Sequence, residues 1–237
     1  MDRGTRGEGC VYAIVKGIFI MKHEDFSARR PGMIGEEKFR QYAVLVPLIN
    51  ISGVPYFIFE KRSDKLKRQP GEICFPGGKL EENETLEECA VRETEEELLI
   101  SKNKIQVIGP GDIYVSPFNL MVHSFIAVIR DYENTFSTDE VEEIIKVPID
   151  FFRSQQPERF ESKLVNEPPE EFPYEWIPGG VKYPWAKGTH DILFYPYEDI
   201  IIWGMTAQIA KSAMNLIDEY DIINSNHILN DGNFQER

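Results

Sequence analysis

Apolar and polar positions along the chain fall into short blocks of two different periods. YAVLVPLINI (42–51) and PYFIFEKR (55–62) are β-branched and aromatic runs divided by Ser52-Gly53-Val54, a pattern that predicts a strand pair. A basic loop, RSDKLKRQPGE, follows, then the short run ICF and the turn Pro76-Gly77-Gly78. Helical spacing takes over from Asn83 to Leu99, with Asn83 or Thr85 placed to cap the helix and acids crowding its first turn, where the helix dipole favours them. KIQVIGP (104–110), DIYVSP (112–117) and LMVHSFIAVIR (120–130) predict further strands, and Val141–Val147 another, leading into a turn at PIDFFRS. Residues 154–190, rich in Pro, Glu and aromatics, read as mostly irregular. DILFYPYEDIIIW (191–203) holds a last strand, WGMTAQIAKSAMNLIDEY (203–220) reads as a second amphipathic helix, and the tail from Asn224 is polar. Strands interleaved with helices predict one mixed α/β domain.

No apolar run reaches the ~18 residues a membrane helix needs. The nearest, CVYAIVKGIFIM (10–21), is short and broken by Lys16; Asp2 and Glu8 dilute its basic flank, and no small-x-small cleavage site follows. It reads as a strand, or as extra sequence before a start at Met21. Cys10, Cys74 and Cys89 are few, odd in number and not spaced for zinc, which suits a reducing cytosol and a cytoplasmic protein. The chain ends Gln-Glu-Arg, with no peroxisomal tripeptide. A hydrophobic content of 42% is enough for a core, so the acidity is not that of a disordered chain. With 26 Lys plus Arg against 40 Asp plus Glu, the net charge is −14, which argues against a nucleic-acid backbone or an anionic membrane as partner. A small phosphate ligand stays compatible if a divalent cation stands between the two negative partners.

Much of that charge sits in one place. Glu81–Glu97 carries nine Glu against one Arg. A solvated charged face would be the ordinary explanation. At ~100° per residue, however, Leu86, Ala90, Glu93 and Glu97 fall within a sector of about 60°, so two of the acids share the apolar stripe. Glu96 lies on the flank beside Cys89, whereas Glu87, Glu88 and Glu95 point away and fit a solvated face. Carboxylates on a semi-buried stripe are costly when ionised and unpaired, and neighbours at i+3 and i+4 repel one another. Arg92, within reach of Glu96 and of Glu84 or Glu88, cannot neutralise all three of Glu93, Glu96 and Glu97. Raised carboxyl pKa values or bound divalent cations remain as remedies, and an oxygen-only donor set suits Mg²⁺ or Mn²⁺. Gly77-Gly78, just before the helix, lets backbone approach a ligand closely.

From Gly78 the chain reads GKLEENETLEECAVRETEEELLI, which resembles the Nudix box G-x5-E-x7-R-E-U-x-E-E-x-G-U, where U is a bulky aliphatic. Gly78, Glu84, Arg92, Glu93, Glu96, Glu97 and Ile100 fall in register. Thr94 stands where an aliphatic is usual, and Leu99 where the closing Gly is usual; that Gly permits a left-handed turn, so here Lys102-Asn103 is the expected substitute at the helix exit. Upstream, FEKRSDKLKRQPGEICFPGGK (59–79) is similar to the signature of the coenzyme A diphosphatase branch, through Arg62, Ser63, Gly71, Phe75, Pro76, Gly77 and Gly78. Lys67 replaces its usual Arg, keeping charge but not bidentate geometry. IIIWGMTAQI (200–209) resembles the start of that branch's last helix.

The resemblance covers about residues 30–220 and implies a Nudix fold, a mixed β-sheet between helices, over 29–222, with 1–28 as an N-terminal extension and 223–237 as a tail. It implies metal-dependent hydrolysis of a diphosphate, here in CoA or acyl-CoA, giving (acyl-)phosphopantetheine and adenosine 3′,5′-bisphosphate. Glu93, Glu96, Glu97 and the Gly77 carbonyl would hold Mg²⁺ or Mn²⁺. Arg92 would orient the carboxylates, and Arg62, Ser63, Lys67, Gly71, Phe75 and Gly78 would meet the substrate. The general base stays open between Glu96 and a carboxylate of Glu140–Glu143, with Glu143 carried as the candidate. His123, inside an apolar strand, reads as core or solvent-facing rather than catalytic. Partners are expected to be small molecules, with a homodimer as the assembly left open. Two alternatives stand: a Nudix hydrolase for ADP-ribose, NADH or a nucleoside triphosphate, and a Nudix-like binding module without activity.

Overall fold

The computed structural model describes residues 31–225 together with two isolated pairs, Ile14–Val15 and Ile18–Phe19. The chain divides into two units, Met1–Glu37 and Lys38–Arg237. In the first, β1 (Ile14–Val15) and β2 (Ile18–Phe19) form an antiparallel pair. They fall inside the stretch expected as a single strand, whose remaining residues lie outside the described ones, as do His23, His227 and the tail beyond residue 225.

The second unit carries the expected strand pair. β3 (Arg40–Ile51) and β4 (Val54–Arg62) are antiparallel, with Leu48 opposite Phe57 and Ile51 opposite Val54. β5 (Ile73–Cys74) joins the far edge of β4. The Gly77-Gly78 turn becomes a short strand, β6 (Gly77–Lys79), bonded to β3. The box helix is α1 (Leu86–Leu98). The two runs read separately at 104–117 are one bulged strand, β7 (Ile105–Ser116), paired with β8 (Leu120–Ile129). β8 lies parallel to β3, and β9 (Val141–Pro148) is antiparallel to β4. The result is a seven-stranded mixed sheet in the order β5-β4-β3-β8-β7, with β6 and β9 attached to β3 and β4.

Three expectations are corrected beyond this sheet. PIDFFRS is not a turn; it forms α2 (Ile149–Ser154), which buries Ile149 and Phe152. The segment read as irregular contributes β10 (Glu158–Leu164), and the single strand expected at 191–203 is a hairpin, β11 (Gly188–Tyr197) and β12 (Ile200–Trp203), making a second, three-stranded sheet. α3 (Gly204–Glu219) occupies the place expected for the second helix, and α4 (Ile222–Ser225) follows it.

Strand alternation divides the core between the two faces of the large sheet. Val46, Leu48, Phe57, Phe59 and Val128 pack on one side with Phe152 of α2, Tyr195 of β11 and Ala207, Ala210 and Ile217 of α3. On the other, Ala43, Leu45 and Ala127 meet Cys89 and Ala90 of α1, and Ile49 and Ile58 meet Leu98 and Ile100. Small residues on both partners let α1 sit close against the sheet, which places the box side chains at the ends of β4, β5 and β6. This is the mixed sheet flanked by helices that the sequence leads one to expect.

Candidate active site

The helix that carries the acids is held at both ends. Thr85, with extended backbone, caps it: its hydroxyl accepts from the Glu88 amide at 3.2 Å while Glu88 Oε2 accepts from the Thr85 amide at 2.7 Å, a reciprocal capping box. Asn83 is not the cap. At the other end Leu99 itself takes the left-handed conformation, φ 51° and ψ 44°, where Lys102-Asn103 was the expected substitute. Its side chain is 59% exposed, so the strain of a non-glycine there is not offset by burial. The exit is fixed by its surroundings instead: the Thr135 hydroxyl donates to the Leu98 carbonyl at 2.6 Å and the Lys102 amide to Glu95 Oε1 at 2.6 Å. Thr94, at the aliphatic position of the box, is fully buried and donates its hydroxyl to the Ala90 carbonyl at 2.7 Å, so the polar group is satisfied within the helix.

The stripe geometry holds in part. Glu97 is 2% exposed, and its Oε2 accepts from the Gly77 amide at 2.8 Å, tying the helix to the glycine turn. Glu93 is half-buried; Glu96 is on the flank and largely exposed. Arg92 is the hub. It makes a two-pronged contact with Glu84, Nε to Oε2 at 3.0 Å and Nη2 to Oε1 at 2.9 Å, and its Nη1 reaches Glu93 at 2.9 Å and Glu96 at 3.4 Å. Of the two partners expected on the far side it takes Glu84, since Glu88 is engaged in the cap. That guanidinium pulls the Glu84 carboxyl down to about 2. Burial pushes the Glu93 carboxyl up, and it pushes Glu97 up further, aided by the negative charge of Glu60.

The two glycines fit for different reasons. At Gly77 (φ 152°) a Cβ would stand 2.3 Å from the Ala43 carbonyl oxygen, so the strand pairing itself requires glycine. At Gly78 a Cβ would fall 2.2 Å from the Glu93 carboxylate.

Of the candidate substrate contacts, Arg62, Ser63 and Gly71 form one local unit at the end of β4. The Gly71 amide donates to the Arg62 carbonyl at 2.9 Å, and the Ser63 amide to the Glu140 carbonyl at 2.8 Å. Arg62 Nε is buried and meets no acceptor among the described residues. Lys67 is exposed on the same loop. Phe75 does not face a ligand: it is 3% exposed, stacked on Phe59 with ring centroids 4.5 Å apart and edge-on to Phe57 at 6.0 Å. Its part is to anchor the turn in the core. Glu143 is also displaced from its expected place. It pairs with Lys61 in β9, on the face shared with Phe59 and away from α1. Glu140 is the acid of that segment whose charge bears on Glu60, Glu93 and Glu97. His123 bonds Gln41 at 2.8 Å through Nε2 and stands outside the acidic cluster.

Glu60 is the residue the motif does not name. It sits in β4, 1% exposed, accepts from the Cys74 thiol at 3.3 Å through Oε1, and leaves Oε2 buried with no partner among the described residues. Burial raises its carboxyl to about 7. The sequence signal for it is the acid that directly follows the apolar run PYFIF, ahead of Lys61-Arg62.

Among the described residues no three Asp, Glu, His or Cys side chains stand close enough together to hold a metal ion as they are placed. Arg92 draws Glu93 and Glu96 to itself and the Gly77 amide holds Glu97. Yet the donor chemistry fits a hard divalent cation. Glu60, Glu93, Glu97 and Glu140 act on one another electrostatically, and a buried carboxylate oxygen among them is unpaired. No helix among the described residues is long and apolar enough to cross a membrane.

A sheet whose edge loop, glycine strand and acidic helix converge on one cluster of carboxylates is the arrangement of the Nudix proteins, and residues 39–178, more than half of the chain, match the NUDIX domain family. The chain belongs to that family. Among curated proteins it is 36% identical over 118 residues to peroxisomal coenzyme A diphosphatase NUDT7 of Mus musculus, covering 49% of this chain and 50% of that one. It is 33% identical over 117 residues to Nudix hydrolase 3 of Caenorhabditis elegans, covering 46% and 47%. To mitochondrial Nudix hydrolase 15 of Arabidopsis thaliana it is 30% identical over 171 residues, covering 68% and 53%. The matched stretches thus span about half the length of these relatives.

Proposed function

We propose that this chain is a divalent-cation-dependent Nudix diphosphatase whose substrate is coenzyme A or an acyl-CoA. The observation that carries the reading is the junction of the basic loop with the acidic cluster. The loop that begins Arg62-Ser63 and continues through Lys65, Lys67 and Arg68 is bonded by the Ser63 amide to Glu140, and by Lys65 Nζ to the Thr138 carbonyl at 3.1 Å. The loop that carries these cations is thus tied to the segment of Glu140, whose charge bears on the acidic cluster, which supports a substrate carrying both a diphosphate and a separate phosphate. The similarity to the mouse diphosphatase supports the same substrate class.

Glu93, Glu96, Glu97 and the Gly77 carbonyl would hold Mg²⁺ or Mn²⁺, with Glu140 in place of Glu143 as the acid from the later segment. When bound, the cation neutralises charge on the diphosphate oxygens and makes water a better nucleophile. The protein's own contribution is positional. Glu84 and Glu93 fix the plane of the Arg92 guanidinium, which sets Glu96. The Gly77 amide fixes Glu97. Arg62, half-buried and with its Nε unpaired among the described residues, would supply positive charge and a donor toward a phosphate oxygen. In the reaction a water oxygen bonds to one phosphorus and the bridging P–O bond breaks. The water protons pass to Glu96 or Glu140 as general base and to the departing phosphate, giving (acyl-)phosphopantetheine and adenosine 3′,5′-bisphosphate.

The test is hydrolysis of CoA, dephospho-CoA and ADP-ribose side by side under Mg²⁺ and Mn²⁺, with the products identified. CoA should turn over fastest and yield those two products. Faster hydrolysis of ADP-ribose would make the chain a Nudix hydrolase for another nucleoside diphosphate derivative. No hydrolysis of any diphosphate would make it a binding module.

A further inference from the structure

We infer that Glu60 is an additional carboxylate of the cation site, contributed by the strand upstream of the Nudix box and presented through its unpaired Oε2. The inference rests on reading the cluster as a cation site.

Direction comes from the strand. Side chains two apart in β4 share a face. Phe57 and Phe59 pack against α2 and α3, whereas Ile58 packs with Leu98 of α1. Glu60 is two residues beyond Ile58, so it projects to the α1 face, where Leu98 is the sequence neighbour of Glu97. Consistent with that, Glu60 is the charged group that weighs most heavily on Glu97, and Glu93 and Glu140 both weigh on Glu60.

Burial and hydrogen bonding then separate two roles. A structural Glu60 would have its oxygens satisfied. Here Cys74, the residue opposite Glu60 in the β4–β5 pairing, donates to Oε1 at 3.3 Å. Oε2 receives nothing among the described residues, although the residue is 1% exposed. An unmet acceptor in a buried position costs more than the thiol bond returns, because a thiol is a weak donor. Arg62, two residues along the strand, exerts an attractive charge on Glu60, but its own buried Nε remains without an acceptor. A carboxyl kept at such expense, on the same face as the other acids and acting on them electrostatically, is accounted for by a ligand that needs oxygen donors and brings positive charge.

Glu60→Gln and Glu60→Met separate the roles. Gln keeps shape and removes charge; Met removes the polar group at similar volume, so a folded variant is available even if the buried amide is poorly tolerated. Mn²⁺ binding is measured without substrate, by electron paramagnetic resonance titration and by calorimetry, alongside thermal unfolding in chelator and in Mn²⁺ and a CoA hydrolysis assay on the same preparations. The expected result is a tenfold or greater weakening of Mn²⁺ binding in both variants, a smaller Mn²⁺-induced rise in melting temperature, and metal-free melting equal to or above that of the unaltered chain. Mn²⁺ binding within twofold of the unaltered chain in both variants would overturn the inference and leave the diphosphatase reading standing. Normal Mn²⁺ binding in the unaltered chain without CoA hydrolysis, together with weakened binding in the variants, would overturn the CoA reading and keep Glu60 in the site. No Mn²⁺ binding by the unaltered chain would overturn both.

Discussion

At the scale of single residues the site is a contest between one guanidinium and several carboxylates. Glu97 shows the outcome most clearly: it is buried and, among the described residues, bonded to a backbone amide at 2.8 Å but not to Arg92. Glu97→Gln keeps the acceptor for Gly77 and removes the charge. We expect turnover to fall by on the order of a hundredfold or more with the circular dichroism spectrum unchanged; unaltered turnover would remove Glu97 from the cation ligands. Lys67 belongs to the opposite charge set and is exposed, so reversing it should disturb binding and not the fold. Lys67→Glu should raise KM for CoA by about tenfold while leaving kcat nearly constant, and should affect dephospho-CoA less. The box stripe was legible because helical periodicity needs only sequence spacing. Glu60 was not, because its role follows from the strand face and from an unmet oxygen, neither of which the motif encodes. Phe75 misleads in the reverse sense: it belongs to a substrate-associated motif, but its ring belongs to the core.

At the scale of elements, α1 works as a rigid carrier whose exit is its weak point. Leu99 in the left-handed region costs roughly 1–2 kcal/mol against a residue without Cβ, and its exposed side chain offers little compensation. Leu99→Gly should therefore stabilise the chain by about 1 kcal/mol, part of the gain being lost to the greater freedom of glycine when unfolded; equilibrium urea denaturation would show a higher midpoint with an unchanged slope. A lower midpoint would mean that the leucine side chain contributes packing. Elements with strong periodicity, β3, β4, β8, α1 and α3, stand out in the sequence. β10 does not, because six of its seven residues, Glu158 to Lys163, are exposed, so no alternation of apolar and polar residues marks it. It is a strand by virtue of pairing with β11. α2 escapes for a different reason: six residues are too few to display a helical period.

For the whole molecule, the charge of −14 conceals an internal asymmetry, since part of it is buried where it opposes folding. Glu60, raised by burial from its usual 4.5 to about 7, keeps its proton in the folded chain over a range in which the unfolded chain has released it. Its contribution is full below pH 4.5 and is lost as pH rises through about 7. Glu93 and Glu97 are shifted in the same direction. In chelator, stability should fall by about 2 kcal/mol or more between pH 5 and pH 8, and added Mg²⁺ should restore much of it at the higher pH. Denaturation midpoints at both pH values with and without Mg²⁺ would check this; a chain equally stable at both in chelator would contradict the burial of ionisable carboxyls.

Gly78 shows how little separates the fold from the arrangement of its site. The space its side chain would occupy belongs to the end of Glu93, a flexible group that can swing aside, and not to backbone that cannot. A single methyl group there would leave the strand pairing standing and push the Glu93 carboxylate from its place beside Arg92. On the diphosphatase reading, the distance from catalyst to inert scaffold would then be a single methyl group placed where the fold itself has no need of glycine.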